Sequence, residues 1–181
     1  NYLKGRDRML LLFLDPPRVK DQAVLKNGED QWLYFPKLKK AMKVSSRQQL
    51  LGSDFSYGDI LNIDLQREYK ATLLNTEGLA QDFSCYKLEL IARKPTSTYA
   101  KIIYYVRKSD YAAIKREFYT KSNKKLKVLI FKEHNKELVP LRWEMSSILN
   151  PGDITLLLIK KIEKQEIPDL YFTLGYLQRG R

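Results

Sequence analysis

An α+β fold dominated by an antiparallel meander follows from three observations on the sequence. Segments of strand length, many of them aromatic, recur along almost all of its 181 residues. Turn-forming residues separate these segments, and only two short stretches show helical spacing. The alternation of strands with crossover helices that marks a parallel sheet is missing.

In chain order, the expected strands cover residues 8–14, 22–26, 31–35, 41–44, 65–74 and 83–92, then 100–108, 114–119, 126–132, 139–145 and 154–162. Between them stand Asn27-Gly28-Glu29-Asp30, Pro95-Thr96-Ser97, Ser122-Asn123, His134-Asn135 and Asn150-Pro151-Gly152-Asp153. These residue types preset or tolerate turn dihedrals. The first helix is expected over residues 57–63, because Ser56 followed three residues later by Asp59 makes a capping-box pattern. The second starts at Pro168, with Leu170, Leu174 and Leu177 at helical spacing before Gly180.

Two strands are apolar on both faces. Leu126, Val128 and Ile130 alternate with Leu129 and Phe131, while Ile154, Leu156 and Leu158 alternate with Leu157 and Ile159. Such strands need cover on both sides. An ordinary packed core satisfies that need, and so does a curled sheet around a short helix whose loosely filled interior forms a ligand cavity.

Length and the absence of repeats, low-complexity tracts and flexible linkers point to a single domain over residues 1–181. No apolar run approaches the ~20 residues that span a bilayer. The chain begins at Asn1 without Met, so a preceding export or anchor segment is expected. Cys85 has no partner for an internal disulfide and reads as a small core residue. The formal net charge is +12, with Lys37, Lys39, Lys40 and Lys43 clustered after one strand and Lys121, Lys124, Lys125 and Lys127 near a turn. A solvated face or attraction to anionic headgroups accounts for this charge. No RNP-type aromatic signature, Cys/His finger spacing or helix-turn-helix accompanies it, so nucleic acid is not an expected partner.

Catalytic chemistry finds little support. His134, the single histidine, sits in a turn-like context without an acidic partner or a ligand set. Asp54, Asp59 and Asp64 do not match the spacing of a calcium loop, and Asp59 already serves as a cap. The glycines are scattered and form no phosphate cradle. No enzyme activity, metal or cofactor is expected.

The segment Trp32-Leu33-Tyr34-Phe35-Pro36, the basic run after it and Leu51-Gly52-Ser53-Asp54-Phe55-Ser56-Tyr57-Gly58-Asp59-Ile60 together resemble the outer-membrane lipoprotein-sorting proteins of the LolA/LolB-like superfamily. Their pattern is W-x-Y-x-P followed by G-S-D-F-S-Y-x-D. Residues 8–17, with Pro16-Pro17 as the turn behind the opening strand, also resemble the family, as do Glu117-Phe118-Tyr119, Val139-Pro140 and residues 167–173, so most of the chain is covered. Gly58 departs from the family's more helix-favouring residue there.

The resemblance implies a single strongly curved antiparallel sheet, an incomplete barrel, with short helices over its concave side. It implies non-catalytic binding and transfer of lipid or lipoprotein acyl chains in the bacterial cell envelope. The expected location is periplasmic, with membrane anchoring as a lipoprotein left open, and a monomer is expected. A docking module that partners an envelope transporter or a membrane surface is the alternative, and a basic nucleic-acid-binding β protein is a more remote one. Candidate acyl-cavity residues are Phe13, Trp32, Tyr34, Met42, Phe55, Tyr57, Ile60 and Leu61, each with ordinary core packing as its other possible role. Residues 50–63 are expected to form a movable cover, with Gly52 and Gly58 as flexible points.

Overall fold

In the computed structural model, residues 2–15, 17–62 and 64–179 are described, with residues 75–77 described by their backbone. Pro16 of the expected turn, Ile63 at the end of the first expected helix and Gly180 after the second lie outside the described residues. The chain forms two compact units. One comprises residues 1–52, 56–64 and 163–181, the other residues 53–55 and 65–162.

The first unit is built on a five-stranded antiparallel meander of β1 (Tyr2–Lys4), β2 (Arg8–Leu12), β3 (Ala23–Asn27), β4 (Asp30–Phe35) and β5 (Lys40–Lys43), paired in sequence order. The turn expected at Asn27-Gly28 is present. Asn27 pairs with Asp30 across it, and Gly28 takes the left-handed φ of 63° that a side chain would resist. Leu10, Ala23, Leu25 and Tyr34 share one face and pack with Phe172 and Leu177 from the C-terminal segment.

That C-terminal segment is not the continuous helix expected from Pro168. It forms a 3-10 turn over Asp169–Phe172 and then α3 over Leu174–Gln178. Thr173 interrupts them with extended dihedrals, and its side chain accepts from the Tyr176 N–H to cap α3. The tighter 3-10 pitch buries Phe172 fully and leaves Leu170 at 55% exposure, so the leucine spacing misreads the inner face.

On the other face of the same meander lies α1 (Tyr57–Leu61), where the capping box is complete. Asp59 accepts from the Ser56 N–H at 2.7 Å, and Ser56 Oγ accepts from the Asp59 N–H at 3.3 Å. At its other end, buried Lys26 donates to the Leu61 carbonyl at 2.9 Å and to Asn62 Oδ1 at 3.1 Å. Gln31, cross-strand from Lys26, donates to the same Asn62 oxygen. An ammonium at the carbonyl end of a helix is favourably placed against the helix dipole.

The second unit is a seven-stranded antiparallel sheet of β6 (Tyr69–Ala80), β7 (Phe83–Ala92), β8 (Lys101–Arg107), β9 (Ala113–Tyr119), β10 (Lys125–His134), β11 (Pro140–Ser147) and β12 (Thr155–Leu158). A helical turn, α2 (Leu65–Glu68), occupies the start of the segment expected to be strand. β6 shifts register against β7 twice, between Leu73 and Asn75 and between Asn75 and Gly78. Such bulges increase local twist and bend a strand. At Gly78 a Cβ would stand 3.2 Å from the Cys85 carbonyl oxygen, and Cys85 is fully buried beside it.

The fold is therefore antiparallel α+β with short helices, and no barrel closes among the described residues. The last expected strand is shorter than its apolar run. Only Thr155–Leu158 pairs, and Ile154, Leu156 and Leu158 are exposed instead of covered.

Candidate functional site

Alternation, interrupted by bulges in β6, between β8 and β9 and between β9 and β10, gives the seven-stranded sheet two chemically different faces. One carries ion pairs both along and across its strands. Glu117 pairs with Lys115 at 2.6 Å and Lys125 at 3.4 Å, and Glu144 with Lys132 at 2.9 Å and Arg142 at 2.8 Å. Burial pushes the Glu117 carboxyl up, but hydrogen bonds from Lys115 and Tyr119 and the nearby ammonium groups outweigh it and hold it below the usual carboxylate range. The Tyr119 phenol is pushed well up, first by burial and then by the Glu117 carboxylate that accepts its hydrogen bond.

The opposite face is largely apolar, with Lys127 and Ser147 continuing the row of Phe118 at one end. A row crosses six of its strand pairings through Leu73, Leu88, Tyr104, Arg116, Leu129, Met145 and Thr155. Beside it run Leu90, Ile102 and Phe118 on one side, and Phe131, Trp143 and Leu157 on the other. Tyr99 stacks on Phe118 with centroids 4.2 Å apart, and Trp143 meets Phe131 edge-on at 5.2 Å. Leu88, Tyr104, Trp143 and Leu157 are only half-buried.

Arg116 is the exception in this row. Its guanidinium carbon lies 4.6 Å from the Tyr104 ring centroid and 5.0 Å from that of Phe131. Its Nε is buried and donates to no acceptor among the described residues.

The Ser53–Phe55 segment also belongs to this unit. Asp54 Oδ2 accepts from Thr155 Oγ1 at 2.7 Å and Oδ1 from Asn150 Nδ2 at 3.2 Å, while its carbonyl accepts from Lys127 Nζ at 2.5 Å. Phe55 is 2% exposed. Asp59 caps α1, and Asp64 lies 3.7 Å from Arg6. His134 Nε2 lies 2.7 Å from the Ala113 carbonyl, a cross-strand contact at the end of β10. Among the described residues no group of three His, Cys, Asp or Glu side chains is placed to hold a metal ion.

The sequence-derived cavity residues do not all converge. Tyr57, Ile60 and Leu61 are buried together on α1. Trp32 and Tyr34 lie on the opposite face of the five-stranded sheet, with Leu25 and Ala23 as cross-strand partners and Phe172 and Leu177 above them. The β4 residues that face α1 are Gln31 and Leu33. Met42, opposite Leu33, is 59% exposed on β5, and Phe13 lies half-buried just past β2. Gly58, expected as a flexible point, is buried in the first turn of α1 and its N–H donates to the Ser46 carbonyl at 2.8 Å. Gly52 has a φ of 76° with open space around it.

The basic cluster sits on a 3-10 turn over Pro36–Leu38 and on β5. Lys37, Lys39 and Lys40 are exposed, and Lys43 pairs with Asp30 at 2.6 Å. Sequence reasoning missed Arg116, Trp143 and the apolar role of Tyr104. The signal available was parity, since Arg116 and Phe118 must share a face of β9.

Among solved structures, the LolA superfamily protein NE2245 from Nitrosomonas europaea superposes with a TM-score of 0.84 at 27% identity, covering 95% of this chain and 79% of that one. A domain assigned as an outer membrane lipoprotein-sorting protein from Vibrio parahaemolyticus gives 0.78 at 25% identity, over 95% and 77% of the two chains. A DUF1329 family protein from Desulfovibrio piger shares the fold, with a TM-score of 0.75 at 23% identity over 94% and 76%. A protein-family model described as "Uncharacterized protein" matches residues 5–179. The chain belongs to that family and has the LolA-superfamily fold. No curated protein matches the sequence. Among the described residues, no helix is long and apolar enough to cross a membrane.

Proposed function

We propose that this LolA-superfamily chain acts as a single functional domain that binds lipid or lipoprotein acyl chains in the bacterial cell envelope and transfers them between membranes, without catalysing a reaction. The observation that carries the proposal is the likeness over 95% of the chain to NE2245 and to a domain assigned to lipoprotein sorting. The apolar face of the seven-stranded sheet supports it. Half-buried Leu88, Tyr104, Trp143 and Leu157 offer aliphatic and aromatic surface that is not fully used by the protein's own packing.

The physics of capture is hydrophobic transfer. Each methylene removed from water is worth about 0.8 kcal/mol, so shielding ten of them gives about 8 kcal/mol, on the order of micromolar affinity. Release follows when a bilayer or a second carrier offers an equally apolar place. The exposed Lys37, Lys39 and Lys40 suit an approach to anionic headgroups, each contributing about 1 kcal/mol near such a surface. Periplasmic residence, with or without a lipid anchor, belongs to this reading.

Native mass spectrometry of the protein purified from envelope extract without detergent, followed by solvent extraction, tests the proposal. A bound species of phospholipid or lipopeptide mass that is lost in Leu88→Asp supports it, provided the variant keeps its far-ultraviolet spectrum. A bare protein mass that persists after lipids and lipopeptides are offered removes it, and leaves a docking module on the basic face as the better reading.

A further inference from the structure

We propose that Arg116 binds the anionic group of an amphiphile whose acyl chain lies along the apolar face of the seven-stranded sheet. The inference rests on the carrier reading and narrows its cargo to lipids with an oxyanion joined to an acyl chain. Arg116 occupies the middle of the apolar row, between Tyr104 on β8 and Leu129 on β10. A guanidinium stays charged at every physiological pH, so this position places a permanent cation among hydrocarbon.

Among the described residues no acid of the sheet is paired with it; Glu133, at the end of β10, lies 3.6 Å from Arg142. Glu89, Glu117 and Glu144 point to the opposite face by alternation, where Lys101, Lys115, Lys125, Lys132 and Arg142 engage them. Asp54, which belongs to the same unit, already accepts from Asn150 and Thr155. The buried Nε–H of Arg116 donates to nothing among the described residues. A buried donor left without an acceptor is costly, more so when it is charged.

The rings of Tyr104 and Phe131, at 4.6 and 5.0 Å, hold the guanidinium without consuming its in-plane N–H groups. The two terminal nitrogens, which are not among the buried unpartnered atoms, form the fork that takes a carboxylate or phosphodiester through two parallel hydrogen bonds. Apolar surroundings strengthen such a pair relative to water. The acyl chain then continues over the half-buried Leu88 or Trp143.

The test is calorimetric titration of the full chain with four probes below their aggregation concentrations: palmitate, palmitoyl lysophosphatidylglycerol, uncharged monopalmitoylglycerol and inorganic phosphate. The expected result is a preference of about tenfold to a hundredfold for the anionic amphiphiles over monopalmitoylglycerol. Arg116→Met removes that preference, bringing the anionic probes to the affinity of monopalmitoylglycerol, while Arg116→Lys keeps part of it. The better of the two anionic probes names the source as fatty acid or phospholipid.

An arginine that only stacks on its rings leaves the anionic-to-neutral ratio the same in both variants, which overturns the inference but not the carrier reading. Equal affinity of the native protein for charged and uncharged amphiphiles overturns it whether or not Arg116→Met folds. Inorganic phosphate binding as tightly as the lipids overturns the amphiphile assignment. Binding of no amphiphile at all removes the carrier reading and this inference together.

Discussion

Asp54→Ala tests how the Ser53–Phe55 segment is fastened to the seven-stranded sheet. The substitution deletes an acceptor that serves Thr155 Oγ1 at 2.7 Å and Asn150 Nδ2 at 3.2 Å, residues about a hundred positions away in sequence. Hydrogen bonds to a charged acceptor contribute about 1.5–3 kcal/mol each when buried. Asn150 is exposed and recovers water when its partner is removed, so its bond counts for little, and Thr155 is half-buried. The Lys127 contact uses the backbone carbonyl and survives. The net loss is about 2 kcal/mol, which lowers the melting midpoint of a chain this size by about 4–8 °C. Differential scanning calorimetry of Asp54→Ala, Thr155→Val and the double variant reads both the loss and the coupling, expected at about 1 kcal/mol. A midpoint for Asp54→Ala within about 1 °C of the native protein, or strict additivity with Thr155→Val, would refute the reasoning.

Glu117→Gln carries a pH signature. Because the folded carboxyl is held below its ordinary value, its stabilising contribution is full above the unfolded pKa and disappears as pH falls through the folded one. The variant should therefore be less stable at neutral pH, and the gap to the native protein should shrink as melts are recorded at progressively lower pH below about 4. Lys26→Met removes the donor to the Leu61 carbonyl and Asn62, and should cost about 1–3 kcal/mol, with faster hydrogen exchange at the Asn62 amide that closes α1. Phe172→Ala empties a fully buried position under the C-terminal segment, and denaturant titration should show a loss of about 3–5 kcal/mol.

Much of the fold was legible because its signals are local. The Asn27-Gly28 hairpin, the Ser56–Asp59 capping box and strand β7 over Phe83–Ala92 each follow from residues within a few positions of one another. What escaped depends on distant partners. Alternation pairs Trp32 with Tyr34, but only the packing of Phe172 and Leu177 decides which side of the sheet they join. The run at residues 154–162 reads as a long strand until backbone bonding to β11 ends at Ile159. Likewise Thr173 breaks a helix that leucine spacing favours, since its side chain caps α3. Arg116 was hidden by its charge: a basic residue in a strand is ordinarily assigned to solvent, and nothing local announces that its neighbours are Tyr104 and Phe131.

The short outermost strand governs how this protein behaves in concentrated solution. β12 leaves its outer edge unpaired over four residues, with Leu156 and Leu158 about half exposed, a surface that invites another chain to add on. Two defences stand against it: the strand is brief, and Lys160 and Lys161 follow it after Ile159. A net charge of +12 adds a long-range repulsion between molecules. At 1 M salt that repulsion reaches only about 3 Å, so colloidal stability should worsen with salt where hydrophobic edges meet, and purification at moderate ionic strength should keep the chains apart.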